Sequence, residues 1–122
     1  MALVEPLNKG QRTQPTPGRI YFKIHRKDRA EILAICDEIL LGQELSNERA
    51  RMTISPEFYR GQEISPSDAL RLMRNYTNIN VVGSVLEHGI EKKIINEDAI
   101  IWFETAQGKK IPHLLIFSLP PI

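Results

Sequence analysis

Three histidines, one cysteine and two adjacent carboxylate pairs are the groups in this sequence with the side-chain types for covalent or metal chemistry. His25, His88 and His113 are scattered, without an H-x-x-x-H spacing, and Cys36 has no second cysteine. A tetrahedral zinc site needs about four ligands, so no metal is expected. Cys36 is followed by Asp37 and Glu38. Positive neighbours or a helix N-terminus activate a thiol, whereas carboxylates raise its pKa. A helix beginning at Asp37 would offset part of that effect, yet a buried packing cysteine is the expected role. Adjacent carboxylates at Asp37/Glu38 and Glu97/Asp98 point apart on a strand or turn, so neither pair forms an acid/base couple across a substrate. The sequence has no G-x-G-x-x-G, P-loop or G-x-S-x-G motif. Catalytic residues, cofactors and a small-molecule substrate are therefore not expected.

The binding chemistry is better supplied. Arg19, Tyr21, Lys23 and His25 alternate with Ile20, Phe22 and Ile24, which puts two cations, a phenol and an imidazole on one strand face beside Arg26, Lys27 and Arg29. Such a strip can contact phosphates and stack on an unpaired base. Lys9 and Arg12 add charge from the N-terminal tail. Over residues 1–29 seven basic groups face two acidic ones, while residues 30–48 carry five acidic groups and no Lys or Arg. The overall net charge of +1 hides this division. Basic groups in such a cluster attract RNA through phosphate neutralisation and counterion release. No RNP-type or KH-type signature accompanies them, so sequence-specific readout is not expected.

The elements that must position these groups follow from punctuation and periodicity. Residues 1–18 form a Pro/Gly-rich basic tail, and residues 19–122 a single domain of ordinary size and composition. Ile20–His25 and Glu31–Cys36 read as strands around a Lys27-Asp28-Arg29 turn, and Asp37 as the cap of a short helical turn that Gly42 stops. Arg51–Ser55 is a short strand ended by Pro56, and Phe58-Tyr59-Arg60-Gly61 an aromatic turn. Ser65-Pro66-Ser67-Asp68 opens the clearest helix, with Ala69, Leu72, Met73 and Tyr76 on one stripe. A second helix is expected from about Asn80 to Lys93, with Gly83 inside it. Residues 99–104 and 110–118 read as strands around a glycine-containing loop, and Pro112 argues for an edge or bulge in the last one. The order β-β-(short α)-β-α-α-β-β implies an α+β fold, a small mostly antiparallel or mixed sheet with two helices on one face. The N-terminus has no signal-peptide pattern and no apolar run approaches the ~20 residues that span a bilayer, so a cytoplasmic protein without a membrane partner is expected.

Cys36-Asp37-Glu38-Ile39-Leu40-Leu41-Gly42 resembles the C-D-E-x-L-L-G signature of the archaeal family catalogued as domain of unknown function 424. Lys23-Ile24-His25, Phe58-Tyr59-Arg60-Gly61, Asn80-Val81-Val82-Gly83 and Pro112-His113 agree in order and spacing, so the resemblance covers roughly residues 20–113. The tail before Arg19 and the run Leu114–Ser118 depart from the family pattern. The resemblance implies no assigned activity. It implies, by association with translation machinery in archaea, a ribosome- or RNA-associated role.

Tyr59 and Arg60, placed on a loop, are expected to contact a partner, since exposed aromatic and arginine groups there more often serve contacts than packing. The leading expectation is thus a non-enzymatic accessory protein bound to ribosomal RNA, ribosomal proteins or both. The first rival is a small enzyme in which the Cys36-Asp37 and Tyr59-Arg60 segments converge with His25 or His113 in a concave pocket. The second is a protein–protein adaptor that touches no RNA.

Overall fold

A computed structural model describes residues 18–118. In chain order its elements are β1 (Ile20–Lys27), β2 (Ala30–Asp37), β3 (Glu44–Ser46), β4 (Arg51–Thr53), α1 (Pro56–Tyr59), β5 (Gln62–Ile64), α2 (Pro66–Met73), β6 (Ile79–Val82), α3 (Ser84–Glu91), β7 (Ile101–Glu104) and β8 (Lys110–Ile116). Single 3₁₀ turns occupy Glu38–Leu40 and Glu97–Ala99. The strands form one sheet, ordered β4-β3-β7-β8-β6-β2-β1-β5 and curled into a half-barrel. Every pairing is antiparallel except β2 with β6, the pair that the α2 crossover joins. The α+β class and the two helices on one face agree with the sequence; the strand order does not.

Register fixes which residues share a face. Ile20, Phe22 and Ile24 of β1, Leu33 and Ile35 of β2, Ile79 and Val81 of β6 and Leu114 of β8 pack under α2 and α3 with Ala69, Leu70, Val85 and Leu86. The opposite, inner face carries Ala34, Cys36, Val82, Phe103 and Ile111, covered by Leu40, Leu45, Ile54 and Tyr59. Alternation in β1 thus assigns Tyr21, Lys23 and His25 to the inner face, as the period of two requires.

The helix expected over residues 80–93 is a strand followed by a helix. Residues 79–82 pair with β2 and β8, and α3 begins only at Ser84. Gly83 makes the break with φ +110° and ψ −149°, a conformation reserved almost wholly for glycine. A Cβ there would stand 2.6 Å from Asp37 Oδ2.

The expectation for Pro112 also needs correcting, because β8 lies inside the sheet rather than at its edge. Gly83 N–H donates to Pro112 O at 3.0 Å, so the absent N–H of Pro112 would have faced Gly83 O. That oxygen instead accepts from Leu86 N in the first turn of α3. The proline therefore leaves no acceptor unpaired, since β6 quits the ladder at this point. Other elements follow the sequence more closely. Ser65 caps α2, its Oγ accepting from Asp68 N at 3.2 Å, with Pro66 at the first helical position. The aromatic turn is one turn of helix, α1, capped by Ser55.

Candidate functional site

The inner face carries a buried polar cluster. Tyr59, at the end of α1, donates its hydroxyl to Asn80 Oδ1 at 2.8 Å, and His113 Nε2 lies 3.0 Å from the same oxygen. One acceptor thus serves two donors, which sets the His113 tautomer as Nε2–H. Burial holds this imidazole below its usual pKa and pushes the Tyr59 phenol up, so both are neutral near pH 7. Phe103 meets His113 edge to face, with centroids 5.8 Å apart. Cys36 belongs to the same buried cluster and donates its thiol to Asp37 O at 3.3 Å. Its pKa is pushed up by burial and then by Asp37, which keeps the sulfur protonated.

Asp37 turns to the other face. Its carboxylate accepts from Ser84 N at 2.9 Å and from Ser84 Oγ at 2.7 Å, capping α3 across the Gly83 break. The 3₁₀ turn that the sequence assigns it to cap receives no bond from its side chain. Burial raises the Asp37 pKa, and the two Ser84 bonds work against that rise.

The strip on β1 is largely engaged with its own chain. Arg19 lies 3.8 Å from Glu38 and 3.7 Å from Glu63, and Tyr21 donates to Glu38 at 3.3 Å. Lys23 donates to Glu57 O at 2.8 Å. His25 stacks on Phe58 with centroids 4.3 Å apart, its Nε2 2.7 Å from Phe58 O. Arg26 pairs with Glu31 at 2.6 Å. Gly61 lets the segment after α1 press against β1, since a Cβ there would meet Phe22 O. Arg60 is exposed and stands 5.5 Å from the Tyr21 ring centre, a cation–π contact. Tyr59, placed by the sequence on a contact loop, is buried at 5% exposure. Lys9 and Arg12 lie outside the described residues.

The enzyme constellation is only partly assembled. Cys36, Tyr59 and His113 meet in the buried cluster; His25 shares that face of the sheet but stacks on Phe58, Arg60 is exposed and packs over Tyr21, and Asp37 turns away to cap α3. Asn80, the acceptor at the centre of the cluster, and Ser84, the partner of Asp37, escape sequence reasoning. The β-branched run Ile79-Asn80-Val81-Val82 before a glycine is the available signal for a strand here.

Another arrangement emerges from topology. β1 and β2 turn at Lys27-Asp28-Arg29 at the end of the sheet where β6 begins, and α2 leads into that same end. Asn78 joins them, its side chain donating to Glu31 O at 3.3 Å and accepting from Ser118 N at 2.7 Å. α3, which follows β6, runs back to this end and finishes at Lys92-Lys93. Lys27, Arg29, Arg74, Lys92 and Lys93 thus collect at one pole, all exposed, and form no ion pair among the described residues. Asp28, Glu91, Glu97 and Asp98 are exposed carboxylates on the same segments, outside the Arg26–Glu31 pair. Among the described residues no group of three or more His, Cys, Asp or Glu is placed to hold a metal. No described helix is long and apolar enough to cross a membrane.

The family model described as "Protein of unknown function (DUF424)" matches residues 24–114. The chain belongs to the DUF424 family. The match holds β6, α3 and the Pro112-His113 pair as well as the central signature, so the polar cluster and the α3 cap lie within the family domain. The chain is also similar to a solved structure, an uncharacterized conserved protein from Methanopyrus kandleri. The identity is 26% and the TM-score 0.57, covering 85% of this chain and 97% of that one. No curated protein matches it.

Proposed function

We propose that this DUF424 protein is a non-enzymatic binding protein of the translation apparatus that docks on ribosomal RNA through its basic pole. The observation that carries the reading is the division between two sets of cations. Arg19, Lys23 and Arg26 are engaged inside the domain, whereas Lys27, Arg29, Arg74, Lys92 and Lys93 face solvent together. Cations without an internal partner release counterions from a polyanion at the least desolvation cost. The neutral His113 and the protonated, buried Cys36 also favour a packing role over bond-making for the inner cluster. The ribosome is the partner suggested by the family's association with translation.

The test is co-sedimentation with ribosomal subunits over a salt series. The wild-type chain is expected to release steeply as salt rises. A triple reversal, Arg74→Glu with Lys92→Glu and Lys93→Glu, is expected to lower both the affinity and the salt slope, by roughly one unit for each phosphate no longer neutralised. Cys36→Ser should leave binding intact. Co-sedimentation that ignores salt and survives the reversal would sink the reading. A ribosomal protein neighbour is the second reading, favoured by Ile101, Leu115 and Phe117, which are 52%, 45% and 59% exposed.

A further inference from the structure

We infer that the groove between the C-terminal ends of α2 and α3 receives one unpaired RNA base, with the pole's cations on the flanking phosphates. This rests on the RNA reading above and gives that site a ligand class.

The groove encloses about 400 Å³. Its floor is Leu70, Ile79 and Leu114, all buried, and its walls include Met73, Tyr76, Ile94 and Ile116. A volume of this size fits a single small planar group with its edge left accessible. It does not offer the long apolar trough that an amphipathic helix needs for anchors at i, i+3 and i+7. Tyr76 is half-buried and contributes an aromatic wall, and Met73 a polarizable one. Both suit the face of a base, which stacks on such groups without regard to sequence.

The rim is polar where a base edge would emerge. Thr77, Asn96 and Ser118 line it. Asn96 accepts from Asp98 N at 2.9 Å through Oδ1, so its amide N–H groups point elsewhere. Arg74 also lines the groove, and Lys92-Lys93 immediately precede Ile94 in the wall. Lys93 holds φ +61°, a left-handed conformation that turns the chain after α3 so that Ile94 and Ile95 fold back over the groove. An apolar slot with Arg74 in its wall and Lys92-Lys93 just before Ile94 has the layout of an extruded nucleotide, base inward and phosphates toward those cations, on the side of the rim away from Glu97-Asp98.

The experiment uses the full chain and two RNA hairpins, identical except for one unpaired 2-aminopurine in the bulged form. Wild type is expected to bind the bulged hairpin about tenfold tighter than the paired one and to quench the probe by stacking. Ala99→Trp places a large ring in the groove from the exposed 3₁₀ turn, leaving the buried floor untouched. It should abolish the preference and the quenching while preserving the salt slope. Arg74→Glu with Lys93→Glu should weaken both hairpins together. Equal affinity for the two hairpins with a steep salt slope overturns base insertion but leaves the basic pole standing. No salt-dependent binding to either overturns both. Binding of an Asp/Leu-rich peptide that Ala99→Trp abolishes, without any preference between the RNAs, assigns the groove to a protein segment and also overturns the inference.

Discussion

Ile35 and Cys36 are neighbours in β2 and both are fully buried, yet their side chains enter clusters of different character. Ile35 points under α2 and α3 into a cluster of aliphatic residues, where stability comes from area removed from water and from close packing. Cys36 points to the inner face, where a phenol, an amide and an imidazole share one oxygen among aliphatic neighbours. The first face responds to truncation of a side chain in proportion to the volume removed. The second depends on every polar group keeping its partner, because an unpaired buried donor costs its full desolvation. The contrast separates what holds the helices on the sheet from what fixes α1 over it.

The largest effect should come from the helix-bearing face. Leu86 is fully buried in α3, and Leu86→Ala is expected to cost about 3 kcal/mol in urea-induced unfolding, from reduced transfer energy plus the cavity left behind. A cost under about 1 kcal/mol would show that α3 collapses onto the gap. Gly83→Ala should come close behind, at about 2–3 kcal/mol, because it strains the φ +110° backbone and displaces the Asp37 cap at once. If the contrast between faces is right, this substitution should appear in hydrogen exchange as early opening of α3 while α1 stays protected.

On the inner face, Asn80→Ala leaves the Tyr59 hydroxyl and His113 Nε2 without their shared acceptor and should cost about 2 kcal/mol. Tyr59→Phe removes one donor and should cost about 1 kcal/mol, since Asn80 keeps His113. In a double-mutant cycle the two changes should fall short of additivity, as one network demands. Additive costs would mean that Tyr59 and Asn80 act independently.

How much of this is legible in the sequence depends on distance along the chain. The β1–β2 hairpin and the Ser65-Pro66-Ser67-Asp68 start of α2 are readable because strand alternation and helix capping are local signals. β6 is not: four residues that run straight into α3 offer no clear period, and only pairing with β2 and β8 makes Asn80–Val82 a strand. The buried position of Tyr59 is hidden for the same reason, since its partner Asn80 lies 21 residues away. Of the basic pole the sequence singles out only Lys27 and Arg29, beside the contiguous strip on β1; Arg74 and Lys92-Lys93 escape because they come from separate segments that only the fold brings to that end. Contiguity makes that strip visible, but Glu38, Glu57, Glu63 and Phe58, which occupy it, come from elsewhere in the chain.

The smallest effect, and the finest test of the contrast, is in pH. Burial holds His113 below the usual imidazole range near 6.5, so the folded state binds fewer protons there than the unfolded chain. Its contribution to stability is complete above about pH 6.5 and is lost as pH falls through the lower folded value, at no more than about 1.4 kcal/mol per pH unit. Asp37 has the opposite sign. Its folded pKa is raised, so its contribution is complete below about pH 4 and declines as pH rises through the folded value. Urea midpoints from pH 8 to pH 5 therefore report on the inner face through the difference between wild type and His113→Gln, in which contributions common to both chains cancel. Wild type should lose more stability than the variant across that window, while Asp37→Asn, acting at the α3 cap, should leave the His113 difference unchanged. Parallel curves for wild type and His113→Gln would mean that His113 is not held neutral by burial, and the inner face would lose the property that sets it apart.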